Sequence, residues 1–144
     1  MPKATALCNA LVNLLYRATA IANVADNAAS SPYTNVYVGL HTADLTAGTN
    51  SQAENETAYT NYVRVAAARS TGWNAASGGG TANAATLSFA QCGVTGATLT
   101  HVSTGPVSSG ASAVWHYGAL NASLAVSSGI TPQFAAGALT VTES

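Results

Sequence analysis

Three histidines, five carboxylates and two cysteines are the side chains of this 144-residue chain whose chemistry could go beyond packing. His41 stands three residues before Asp44, a spacing at which a carboxylate could fix the tautomer of an imidazole base. The nucleophile that such a base would serve has no motif. No Gly-x-Ser-x-Gly elbow occurs, and the serines sit in turn-like stretches where local backbone hydrogen bonding accounts for them. The pair therefore reads as a strand-end histidine beside a turn aspartate. Glu54 and Glu56 lie two apart on one polar loop, a placement that does not set carboxylates on opposite sides of a glycosidic bond. They read as solvated charges, one of which can pair with Arg64, because a cation in a small, apolar strand needs an anion.

His101 and His116 fall in separate strand-like segments. A metal would need them to converge with a third ligand such as Asp44 or Glu54, and three scattered histidines lack ligand spacing. Cys8 and Cys92 occur in unlike contexts, one in an expected helix and one beside Gly93. They read as two buried free thiols. No Gly-Lys-Ser/Thr follows the Gly78 to Gly80 cluster, so there is no phosphate cradle. Trp73, Trp115, Tyr117, Tyr33 and Tyr59 could make a sugar platform, but aromatics of this kind more often fill a core or a subunit contact. No catalytic residue, cofactor or metal is expected.

The composition points the same way. The chain is 48% hydrophobic and 6% charged, with a net charge of -1, against about 25% charged residues in an ordinary soluble domain. Disorder requires low hydrophobicity with high net charge, so the chain should fold. With only Lys3, Arg17, Arg64 and Arg69 as cations, nucleic acid is not an expected partner. A membrane is not expected either, because no apolar stretch approaches the roughly 20 residues that span a bilayer, and the start of the chain makes a weak signal peptide. A surface of Ser, Thr, Asn, Gly and Ala opposes self-association little, which suits repeating assembly.

The elements follow from periodicity. Leu7, Leu11, Leu14, Leu15 and Ala18 recur at helical spacing and predict a helix over 5–19, with Asn9, Asn13 and Arg17 largely off the stripe. Residues 26–34 read as a connecting loop. From Asn35 the period is two: Val36, Val38 and Leu40 alternate with Tyr37, Gly39 and His41, and residues 62–69 repeat the pattern. The intervening 42–60 segment is a long loop, of a length that usually carries contacts or disorder. Further short strands are expected at 84–90, 97–104, 113–120, 123–127 and 138–142, separated by Gly- and Pro-containing turns. Together these predict a mainly β chain, a single-domain sandwich or jelly-roll-like barrel of about seven to eight short antiparallel strands after one N-terminal helix. Residues 1–30 would be helix and arm, and 35–144 the β-domain.

The order of Asn35-Val-Tyr-Val-Gly-Leu-His-Thr-Ala-Asp44, Tyr59-Thr-Asn-Tyr-Val-Arg-Val65, Ala97-Thr-Leu-Thr-His-Val102, Tyr117-Gly-Ala-Leu120 and the closing Gly129 to Val141 segment resembles a family of small phage virion proteins commonly labelled tail fibre proteins. The resemblance covers most of the chain. It implies a structural, non-enzymatic subunit of the phage particle, made in the host cytoplasm, whose partners are the major capsid protein or other virion proteins. In the absence of heptads or a shaft repeat, a capsid decoration or cement subunit is the favoured placement, and a tail fibre or tail-tip subunit the alternative. A homo-dimer or homo-trimer is expected. The candidate interface consists of the helix leucines Leu7, Leu11, Leu14 and Leu15 with the aromatics Tyr33, Tyr59 and Trp73.

Overall fold

The computed structural model describes residues 5–21, 33–45 and 51–143. The loop expected at 26–34 lies outside the described residues up to position 32, as do residues 46–50 of the 42–60 segment. In chain order the elements are α1 (Thr5–Arg17), β1 (Asn35–His41), β2 (Val65–Ala68), β3 (Gly80–Ala82), β4 (Leu87–Ser88), β5 (Ala97–Gly105), β6 (His116–Val126), β7 (Gln133–Phe134) and β8 (Thr140–Thr142). The chain is mainly β, with an N-terminal helix and, among the described residues, eight short strands. The strands make a four-stranded sheet in the order β2-β1-β5-β6 and two two-stranded sheets, β3-β8 and β4-β7. Two compact units emerge, one of residues 1–35, 67–87 and 134–144, the other of residues 36–66 and 88–133.

In the first unit, α1 does not bury the leucine stripe that its spacing suggests. Cys8, Val12 and Tyr16 are its buried residues, whereas Leu7 is exposed and Leu11, Leu14 and Leu15 are half-buried. The apolar arc is wide enough for either face to turn inward, and two specific contacts choose. Tyr16 meets Trp73 edge to face, with ring centroids 4.4 Å apart, a favoured aromatic geometry. Asn13 accepts the Ala76 N–H through Oδ1 at 3.0 Å, and Asn9 accepts the N–H of Gly79 in the same way. Both asparagines, placed off the stripe by periodicity, thus satisfy backbone donors of the 76–79 turn. Gly79 is required there: its φ is +83°, and an added Cβ would stand 3.2 Å from Cys8 Cβ and 2.9 Å from the Glu143 carbonyl.

The end of α1 leaves carbonyls without helical donors, and Arg69 supplies them. Its Nε donates to the Leu15 carbonyl, one Nη to Leu14 and the other Nη to the Tyr33 carbonyl at 2.8 Å. The short strands of this unit are held by a buried amide. Asn83 Nδ2 donates to the Ala85 and Ala135 carbonyls, both at 2.8 Å, and its Oδ1 accepts the Leu139 N–H at 2.8 Å. This joins the end of β3 to the approach to β8. β3, β4 and β7 differ from the strands expected from periodicity because two- and three-residue pairings are too short to show a period.

In the second unit, β1 pairs antiparallel with β5, Tyr37 opposite Gly105 through His41 opposite His101. The expected alternation holds, placing Val36, Val38 and Leu40 on one face and Tyr37, Gly39 and His41 on the other. β6 pairs antiparallel with β5, but the register jumps: Leu99 faces Leu124 and His101 faces Ala119. Leu120 to Ser123 therefore bulge opposite Thr100 alone. The two strands expected at 113–120 and 123–127 are thus the paired halves of one element, interrupted by the bulge. Cys8 and Cys92 are buried free thiols.

Asn83→Ala would leave two carbonyls and one N–H unmatched in the first unit. Leaving buried groups unsatisfied costs about 1–3 kcal/mol each, so urea unfolding should register a loss of at least about 3 kcal/mol.

Candidate functional site

The polar and ionisable side chains singled out above converge in the second unit, chiefly on the Tyr37, Gly39 and His41 face of β1. Arg64, just before β2, is buried, and each of its N–H groups meets an acceptor. Nε donates to Glu56 Oε1 at 2.6 Å and Nη2 to Glu56 Oε2 at 2.7 Å, a bidentate fork. Nη2 also reaches the Gly110 carbonyl at 2.9 Å, while Nη1 faces Gln52 Oε1 and the Val107 carbonyl, both at 3.2 Å, and Ser112 Oγ at 3.3 Å. Charge-assisted, planar pairing of this kind is what guanidinium geometry favours. The expected carboxylate partner of Arg64 is thus Glu56. It is not a solvated charge, because its side chain is 16% exposed and also accepts the Tyr62 hydroxyl at 2.9 Å.

The network extends through Gln52, which is fully buried. With Oε1 facing Arg64 and Ser112, its Nε2 donates to the Tyr37 carbonyl at 3.2 Å and to Ser103 Oγ at 3.1 Å. Ser103 Oγ lies 2.8 Å from His41 Nε2, and His41 Nδ1 lies 2.9 Å from the Glu54 carbonyl. Tyr62 OH accepts the Leu40 N–H at 3.0 Å, and burial raises its pKa well above the ordinary phenol range. The Tyr62 ring stands between Tyr59, edge to face at 5.3 Å, and Phe89, stacked at 6.3 Å. Gly105 permits the close approach of Gln52, since an added Cβ would stand 2.3 Å from Gln52 Oε1.

A serine hydroxyl at hydrogen-bonding distance from an imidazole is the geometry of a nucleophile and its base. Here neither group can meet a substrate: His41 is 0% and Ser103 1% exposed, and Gln52 occupies the second bonding direction of the hydroxyl. The arrangement instead ties the 51–57 segment to β1 and β5. Thr57 N–H bonds the Leu40 carbonyl and Thr42 N–H the Asn55 carbonyl, each at 2.9 Å, and Glu56 bridges His41.

Asp44 is not the partner of His41. Its carboxylate lies 3.4 Å from His101 Nε2, at the surface, and His116 sits on β6 opposite Thr104. Among the described residues no three metal-ligating side chains cluster. Of the candidate interface residues, Tyr59 and Trp73 are buried within the chain's own packing, each 2% exposed, so neither offers a surface. Tyr59 OH donates to the Ala90 carbonyl at 2.9 Å, and burial pushes its pKa up to about 12. Leu7 and Tyr33 are exposed, at 45% and 54%, and Leu11, Leu14 and Leu15 half-buried. Gln52, Tyr62, Ser103 and Ser112 carry no motif that reading the sequence could have found. Only the unpaired cation in a small-residue strand signalled that a network was needed.

Residues 3–142 match the family model described as Podophage GP4 fiber I protein gp80. No curated protein matches the chain.

Breaking a buried ion pair by removing one member costs about 3–5 kcal/mol, so Arg64→Met or Glu56→Gln should each lower the denaturation free energy by about that much. The double variant should lose clearly less than the sum, which a double-mutant cycle in urea would measure. Gly105→Ala should displace Gln52 and cost about 1–3 kcal/mol through overpacking, read as a lower urea midpoint.

Proposed function

The chain belongs to the family of the podophage GP4 fiber I protein gp80 and is a structural component of the phage particle; on that premise we propose that it is a fibre subunit that assembles with copies of itself and other virion proteins through the outer face of α1. The observation that carries this reading is the helix with two apolar faces, of which one is fully buried among the described residues and the other only in part. Cys8, Val12 and Tyr16 are buried, while Leu7 is exposed and Leu11, Leu14 and Leu15 are half-buried. Arg69 holds the Leu14, Leu15 and Tyr33 carbonyls on one guanidinium, so exposed Tyr33 lies near the same end of the helix. Among these residues none is charged, which removes the desolvation cost that charges bring to an interface.

The leucine face is small beside the roughly 800 Å² per partner of a standard interface. It suits an assembly in which several modest contacts act together, where multivalency multiplies weak affinities. A homo-dimer or homo-trimer would present this face in a closed arrangement.

A capsid decoration subunit is the second reading. It is favoured by the single thirteen-residue helix among the described residues, which offers no coiled shaft of the kind that heptads build. Cryo-electron microscopy of intact particles separates the two: density for this chain on the tail supports the fibre reading, and density on the shell alone overturns it in favour of decoration.

Because Tyr16 and Val12 pack inside the first unit, removing α1 would damage the fold as well as the contact. Point changes on the outer face are cleaner. Leu7→Asn combined with Leu11→Asn should leave the far-ultraviolet circular dichroism unchanged, with a stability cost of about 1 kcal/mol from helix propensity. Light scattering should show a smaller oligomer, and particles should incorporate less of the subunit.

A further inference from the structure

His41 is directed by its neighbours into one protonation state. The Glu54 carbonyl can only accept, so Nδ1, 2.9 Å away, carries the hydrogen. Nε2 is then the acceptor for the Ser103 hydroxyl at 2.8 Å. Ser103 Oγ in turn accepts from Gln52 Nε2 at 3.1 Å, and the direction of the Gln52 amide is set by Arg64, which donates to Oε1 at 3.2 Å. A guanidinium keeps its charge across the accessible pH range. A group that cannot change protonation thus fixes a relay from Arg64 through Gln52 and Ser103 to a neutral imidazole.

Adding a proton to Nε2 turns that bond into two hydrogens facing each other across 2.8 Å. Ser103 would have to turn its hydrogen away, its two lone pairs then taken by Gln52 and the imidazolium and its own hydrogen deprived of the His41 acceptor. The new charge would also lie at a site of 0% exposure. Of the groups around it, the Glu54 carbonyl and the Glu56 carboxylate favour that charge and Arg64 and His101 oppose it, and the cost of burial outweighs the favourable pair. From the 51–57 segment come Glu54, through its backbone, and Glu56, whose two oxygens are committed to Arg64 and Tyr62. On the β2 side stand Tyr62 and the cation Arg64; on β5 stands His101, directly opposite His41 and paired with Asp44. Tyr37, on β1 itself, is the remaining titratable neighbour on this face.

We propose that His41 is an acid-sensitive latch for the 51–57 segment: neutral, it adds to the hold of Arg64 on the segment at the end of β1, and protonated, it loosens that hold. Geometry and electrostatics agree on the direction, because burial lowers the His41 pKa from the ordinary 6.5. An opened chain takes up the proton near 6.5 while the closed one resists it. The contribution of the closed state is therefore complete above about pH 6.5 and is lost as pH falls below it. The parts that open first are those held by the Thr57 to Leu40 and Thr42 to Asn55 backbone bonds, since sub-global opening precedes loss of a sheet.

Amide hydrogen exchange on the full chain, corrected for intrinsic rates, tests this. Between about pH 7.5 and 5.5, protection at Thr42 and Thr57 should fall up to about tenfold while the β5 amides keep theirs. The fall should vanish in His41→Gln, which is neutral throughout, and persist in His101→Gln. Imidazole nitrogen shifts of the unaltered protein provide a reading that needs no variant. At pH 7.5 they should report the Nδ1–H tautomer, and protonation of His41 should coincide with the loss of Thr57 protection. A ring that takes its proton at or above pH 6.5 while Thr57 stays protected overturns the latch, as does a fall in protection that His101→Gln abolishes or His41→Gln retains.

Discussion

A guanidinium withdrawn from water must find an acceptor for every N–H, and Arg64 sets that demand within the second unit. The response comes from two stretches of chain: Gln52 and Glu56 in one, and the carbonyls of Val107 and Gly110 with the Ser112 hydroxyl in the other. Neither of these stretches has an apolar pattern that would place it. Their positions follow from the cost of leaving a buried cation unmatched, which at about 3–5 kcal/mol for a broken pair is comparable with a large part of a domain's net stability. The 51–57 segment takes its place for this reason, although it forms no strand or helix.

The first unit solves a smaller version of the same problem. Arg69 takes the carbonyls that the end of α1 cannot satisfy, and Asn83 takes those that two- and three-residue strands cannot. In both units, polar side chains do work that longer ladders do elsewhere. The consequence reaches the surface. Arg64 and Arg69 are two of the four Lys and Arg residues in the chain, so the outside is poorer in positive charge than the composition alone implies. A surface of this kind is suited to close contact with other subunits, because few ions must be stripped of water.

The enzyme-like pairing of Ser103 and His41 belongs to the same logic. Its geometry arises because the relay starting at Arg64 needs an acceptor at its far end, and a neutral imidazole bonded to a carbonyl is one. Chemistry at a buried hydroxyl would require an opening that the packing of Gln52 closes. Membership of a phage fibre family makes the chain a structural component of the phage particle.

Several of these features are legible in the residues themselves. Alternation from Asn35 to His41 determines β1 and its two faces, the spacing of leucines determines that a helix forms near the start, and the ordered segment motifs carry the resemblance to a phage family that implies a virion protein. The need of Arg64 for a partner is also visible, because a cation among small apolar residues must find acceptors. Tertiary structure alone decided that Glu56, and not Glu54, answers it, since both stand on one loop and only the path of that loop back along β1 separates them. It alone decided that α1 turns Cys8, Val12 and Tyr16 inward, because the apolar arc admits two faces and only the Trp73 ring and the 76–79 backbone tell them apart. Local sequence sets what each segment can be; long-range hydrogen-bond satisfaction and ring packing, which have no period along the chain, set which of the equivalent choices is made.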